Sequence, residues 1–400
     1  MCSNPMPRLP ILLVAPLLAA RLPGQEVLLE SAAGEVSRRA LEGLDTRDPR
    51  QLGAHLVRFE GLRPPARAPA GEDDVEVLLH GGDRLHGRVA GGRAELLDVE
   101  LWAGVRMGVA VDEILEIVFP LRIPVLSSAT VARGVDGDRL FRRSGGQLDR
   151  IDGAVEEFTT DGVRFGGDRT GSRLFPWSEV AALFVESTGV APRPRGSEDV
   201  DVVLDLHDHG RLRGRLVRLG PQGCELTTRN GDRVLVPLAA IAHLLVDDGT
   251  LAFLSSFPPA GGSPSRPFGD DLGMSWPARV DRAVAGGPLA AGGRVYPRGI
   301  GMHAPGRRTW MLEPGWKALR GFVAVDDSVL RLPARGSVVF RVLLDGVERW
   351  RSPVVRGGEG PLPLPELDLA GARELALEVG DAGDSAVADR AAWLQLLLRR

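Results

Sequence analysis

From residue 72 to residue 256 the chain alternates apolar and polar positions in short runs separated by glycine-rich turns. Val202–Leu206 is one such run, His207-Asp208-His209-Gly210 the turn after it, and Arg211–Arg218 the next run. Alternation of this kind, without long stretches of helical period, predicts strands joined by tight turns. Asn230-Gly231 is the strongest hairpin signal among them, because both residues accept the positive φ that such turns require.

The pattern recurs. Arg84-Leu85-His86-Gly87, Arg150-Ile151-Asp152-Gly153 and Arg211-Leu212-Arg213-Gly214 open three segments that align without gaps. Ten residues after each glycine stand Leu97, Val163 and Cys224; twelve after it, Val99, Phe165 and Leu226. Ile114, Val180 and Ile241 follow at 27, and Ile117, Leu183 and Leu244 at 30. Equal spacing in three segments signals one supersecondary unit used repeatedly. Each unit reads as five strands with a short helical turn before the last. A glycine inside the second strand most often marks a bulge or sharp bend. A small closed barrel, similar in architecture to SH3-like and Sm-like barrels, is the expected result. The units are expected at 72–124, 136–188 and 198–256, with 25–71 as a short N-terminal segment and possible decayed copy. Pro-rich breaks lie at 63–74, 191–199 and 257–271, the last read as the linker to a different domain.

The alignment disposes of two tempting features. Cys224 occupies an aliphatic position and is expected to be a buried core thiol. His207-Asp208-His209 has a metal-like look but sits in a turn, with no third ligand nearby in sequence.

Composition narrows the function. The 49 basic residues stand against 53 acidic ones, a net charge of −4, which argues against a nucleic-acid partner. Lys317 is the single lysine, and it lies outside any phosphate loop, so P-loop and Schiff-base chemistry are excluded. Two cysteines, Cys2 and Cys224, rule out a disulfide framework and a cysteine-based zinc site. Leu9–Ala20 is an apolar run preceded by Arg8. It is too short to span a bilayer and suits the core of a signal peptide, expected at 1–24. The protein is therefore expected to be exported: periplasmic, in the cell envelope or secreted.

Residues 272–400 carry Trp276, Trp310, Trp316, Trp350 and Trp393, five of the seven tryptophans. Apolar strands at Arg320–Val325, Ser337–Leu344 and Glu374–Val379, with Asp345-Gly346 as a hairpin turn, predict a β-sandwich. The fold class is accordingly all-β: tandem small barrel-like repeats followed by a C-terminal sandwich.

Five motifs in order make the C-terminal domain specific. They are YPRGIGMHA at 296–304, FVAVDD at 322–327, GSVVFRVLLDG at 336–346, ELALEVGDAGD at 374–384 and DRAAW at 389–393. Together they resemble the signature of the NPCBM family of carbohydrate-binding modules. That resemblance implies a galactose-binding-like jelly-roll sandwich, found attached to glycoside hydrolases and in many exported bacterial proteins. Three positions depart from it. Gly306 replaces a serine, Arg390 a histidine, and Leu394 a small polar residue after the closing tryptophan.

A sugar presents hydroxyls and an apolar face, so aromatic side chains beside fixed polar groups suit it. His303 and Arg298 are expected as polar ligands, Trp310 and Trp350 as stacking platforms, and Asp326 and Arg390 as further contacts. Asp326 and Asp327 also suit either loop fixing or a structural calcium; no other cofactor is expected. No HExxH, GxSxG or lysine-based catalytic motif occurs, and the length an (α/β)8 enzyme would need is filled by the repeats. The expected function is glycan binding without catalysis, the repeats serving as spacers or docking units. The alternative is an envelope scaffold whose sandwich has lost sugar binding.

Overall fold

The computed structural model describes residues 25–66, 70–124, 131–134, 136–167, 171–186, 199–262, 265–266 and 275–400. The expected signal peptide, Cys2, most of the 191–199 break and part of the 257–271 break lie outside these residues. Helical structure among the described residues is confined to 3-10 turns of three to five residues; everything else regular is strand. No helix among them is long and apolar enough to cross a membrane.

Each repeat forms the five strands that the spacing predicts, paired in the order fifth, first, second, third, fourth; among the described residues no ladder joins the fourth strand to the fifth, so the expected barrel is not closed by strand pairing. In the first, Asp74–Leu79 pairs with both Arg84–Arg93 and Ile114–Val118, and the second strand continues to Leu96–Leu101 and then Arg106–Ala110. Strands at 138–144, 147–158, 162–167, 171–176 and 180–184 repeat this order, as do those at 201–206, 211–220, 223–227, 233–236 and 241–246. The aliphatic positions of the alignment form the core: Leu97, Val99, Ile114, Ile117 and their equivalents are fully buried. Residues 26–30, 36–40 and 56–60 pair as the first, second and fifth strands of such a unit, with two short 3-10 turns where the other two would be.

The second-strand glycine differs from expectation. The register shifts fall two residues later, between Val89/Gly91, Val155/Glu157 and Leu216/Arg218. The glycine itself lies where the neighbouring strand crosses. A Cβ at Gly87 would stand 2.0 Å from Glu100 O, and one at Gly153 2.0 Å from Gly166 O. The missing side chain serves a close backbone approach, not the bulge.

The units do not hang as separate beads. The last strands of units one and two pair antiparallel, Ile117 opposite Leu183. The N-terminal segment joins unit three in the same manner, Val57 opposite Leu244. One sheet network of 18 strands results, and one apolar cluster runs from Val27 to Val246. Joining the last strands removes two edges that would otherwise be open to aggregation. Cys224 is wholly buried in this cluster, and burial pushes its thiol pKa well above the ordinary range. A thiol reagent is therefore expected to label Cys224 only after denaturation. Labelling of the native protein within minutes would contradict the repeat packing.

The C-terminal half is a two-sheet sandwich. One sheet runs 279–280, 299–303, 390–399, 318–325, 362–368; the other runs 306–311, 374–380, 337–344, 347–351. Trp393, fully buried, meets Phe340 of the facing sheet edge-on at 4.9 Å. Leu251–Phe253, inside the bounds expected for the third repeat, pairs instead with Leu397–Arg399 and extends the first of these sheets. The strand 390–399 is buried along almost its whole length, since unit three covers the face that does not meet the other sheet. Leu397 packs there with Leu56, Val203, Leu245, Leu251 and Phe253. Leu394 packs with Leu289, Ala291 and Tyr296. Leu394 and Leu397 are thus accounted for by contacts outside the sandwich core, whereas Leu396 and Leu398 pack within it.

Candidate functional site

Strand Gly299–His303 runs antiparallel to the start of Arg390–Arg399, which places His303 directly opposite Arg390. Trp276, arriving from the chain before the sandwich, stacks on the His303 ring at 5.1 Å with 26° between planes. The Arg390 guanidinium lies 5.8 Å from the Trp276 ring centroid and donates to Ser328 Oγ at 3.2 Å. His303 is buried, and burial lowers its pKa, so the imidazole is neutral. Its Nδ1 donates to the Ala304 carbonyl at 2.7 Å, which leaves Nε2 as an acceptor. Beside Trp276 a groove of about 280 Å³ opens, lined by Ser275, Pro277, Arg279, Val284 and Ala285. Aromatic surface, a guanidinium and a neutral imidazole therefore meet at one edge of the sandwich.

Of the six residues expected from sequence, the structure brings together His303 and Arg390, sets Asp326 beside them with its backbone N–H donating to Arg390 O at 2.8 Å, and places the other three elsewhere. Arg298 is 1% exposed and points away from solvent into the junction with unit three. Its Nε donates to Asp205 at 2.8 Å and its Nη1 to Ser256 at 2.9 Å. Trp310 is buried, its Nε1 donating to Phe257 O at 3.1 Å, so it offers no stacking face. Alternation along Gly306–Met311 explains this: Arg307 and Met311 face solvent, and Trp310 faces the core. Trp350 is half-buried on strand 347–351 of the other sheet, packed against the sandwich core. Asp326 is buried and accepts from Ser328 N and Ala290 N, while Asp327 accepts from Gly292 N and Gly293 N. All four carboxylate oxygens thus take backbone donors, and the loop-fixing reading of this pair is the one the geometry supports. No group of three or more metal-ligating side chains occurs among the described residues.

Trp276 was not singled out by the sequence. Its available signal was position: a tryptophan just after a Pro-rich break, outside any apolar run.

The family model for the NPCBM/NEW2 domain matches residues 268–399. This part of the chain is an NPCBM/NEW2 domain. The NPCBM domain is a carbohydrate-binding module, and its match covers a third of the chain. Alpha-1,3-galactosidase B of Akkermansia muciniphila is 33% identical over 124 residues, 30% of this chain and 15% of that enzyme. The chain spans 6% and 15% of the length of the curated relatives it matches. Among solved structures, a CBM51 module of a Clostridium perfringens glycoside hydrolase with methyl-galactose is 24% identical. It aligns over 37% of this chain and 99% of its own, with a TM-score of 0.32. The tandem CBM51 modules of a family 98 glycoside hydrolase from Streptococcus pneumoniae are 12% identical, over 81% of this chain and 88% of theirs, with a TM-score of 0.32. Within the NPCBM domain, the departure at Arg390 sits inside the Trp276 cluster, and that at Leu394 in a small apolar cluster with Leu289, Ala291 and Tyr296.

Proposed function

We propose that the chain is an exported, non-catalytic glycan-binding protein. Its NPCBM domain binds through the edge formed by Trp276, His303 and Arg390, and the repeat units hold and present that edge. The observation that carries this reading is the stacking of Trp276 on a neutral His303 with the Arg390 guanidinium beside it. A pyranose lays its C–H face on an indole while a guanidinium donates to its hydroxyls. The galactosidase relative makes galactosides the first ligands to screen.

A glycan array probed with the folded full chain tests this. We expect at least one reproducible hit. Trp276→Ala should weaken it about tenfold or more while leaving the melting temperature nearly unchanged. Arg390→Ala should weaken the same hit. A second reading, an envelope scaffold, draws support from the burial of Arg298 and Trp310 and the extensive junction with unit three. Silence of the folded full chain across the array would favour it.

A further inference from the structure

A second cavity, about 310 Å³, lies where unit one, unit three and the hairpin around residue 295 meet. That is the lower end of the range of small-molecule pockets, with room for one hexose-sized ring. Its polar wall is built, not incidental. His86 is 5% exposed, and its Nδ1 meets the Asp208 carbonyl at 2.7 Å. A carbonyl only accepts, so Nδ1 carries the proton and Nε2 presents a lone pair. That Nε2 has no hydrogen-bond partner, and Glu76 Oε1 stands 4.0 Å from it. The other oxygen of Glu76 takes the Arg282 guanidinium. Trp102, Pro288 and Val295 line the same cavity.

We propose that this junction cavity is a ligand site for a neutral, hydroxyl-bearing ring such as a monosaccharide. The two neighbouring acceptors call for two donors on one ligand, and the tryptophan and proline wall calls for an apolar face. Arg282 already balances Glu76 and burial lowers the His86 pKa, which argues against an ion; Asp208 Oδ1 accepts from Gly210 N, and its Oδ2, buried without a hydrogen-bond partner, adds a further acceptor to the lining. The site is separate from the Trp276 edge and does not depend on that edge binding sugar.

The test uses the full chain carrying Trp276→Ala, so that the sandwich edge is disabled. Saturation-transfer NMR would be run with methyl glycosides of galactose, glucose, mannose, N-acetylglucosamine and N-acetylgalactosamine, and with choline as a cation probe. At least one glycoside should receive saturation and choline none. Val295→Trp fills the cavity from a hairpin position that is 42% exposed, so the fold should survive; it should abolish the signal. Glu76→Gln, which turns one acceptor partly into a donor, should weaken binding about tenfold. No response to any of the five glycosides, a response that survives Val295→Trp, or a response to choline alone would each overturn the proposal.

Discussion

Asp205→Ala is expected to lower the stability of the protein by about 3–5 kcal/mol, the cost of removing one partner from a buried charge pair. Asp205 is 1% exposed on strand 201–206. It accepts from Arg298 Nε at 2.8 Å and from Arg211 Nε at 3.1 Å. Arg211 in turn reaches Asp281 at 2.7 Å, and Asp281 accepts from Gly299 N at 3.0 Å. The carboxylate thus ties unit three to the sandwich through two guanidiniums. Its removal strands Arg298, itself 1% exposed, against Ser256 and a more distant Asp281. Guanidinium chloride unfolding should show the loss, and Asp205→Ala/Arg298→Met should recover much of it, since an apolar pair of similar volume costs less than an unpaired charge. A single variant that loses less than about 1 kcal/mol would remove this junction from the determinants of the fold. Burial on its own would raise the Asp205 pKa, but the two guanidiniums outweigh it and hold the carboxyl well below the usual carboxylate range. A depressed folded pKa contributes stability above the unfolded value, near 4, and loses it only as pH falls through the folded one. The contribution of Asp205 should therefore stay level from about pH 5 to 8 and fade only in strong acid.

The repeats could be read from sequence because a small barrel forces the same offsets on every copy. Apolar residues at ten, twelve, 27 and 30 positions after the glycine all end in one core. The sandwich could be read because its motifs are local. Arg298 could not be placed, because its partner Asp205 lies 93 positions earlier in a different unit. An arginine immediately before a glycine motif resembles a ligand as readily as a tie bar. Leu251–Phe253 shows a related limit. Its alternation identifies a strand, but only packing decides which sheet takes it. Trp310 was within reach: the alternation of Gly306–Met311 turns it inward. Trp276 was not, since its meaning comes from meeting His303 across a break in regular structure. The junction cavity was equally hidden, because His86 and Asp208 are 122 positions apart and neither repeat alone encloses it.

Gly87→Ala and Gly153→Ala should each destabilise the protein by about 3 kcal/mol, whereas Gly214→Ala should cost about 1 kcal/mol. The three glycines occupy the same place in their units, so the difference arises from how closely the neighbouring strand crosses. A Cβ would meet a carbonyl oxygen at 2.0 Å in the first two units and at 2.9 Å in the third, from Thr227 O. At 2.0 Å the backbone must move, and backbone in a continuous sheet moves only by breaking ladder bonds on both sides. At 2.9 Å a shift of a few tenths of an ångström suffices. None of the three has positive φ, so the cost is steric and not conformational. Each alanine also restricts the unfolded chain, which offsets about 0.4–1 kcal/mol of the clash; the losses expected above are net of that offset. Thermal and chemical unfolding of the three variants, measured side by side, would read the order directly. Equal losses at all three positions would mean that the second strand bends alike in every unit, and that the closer crossing in units one and two is not a property of the folded protein.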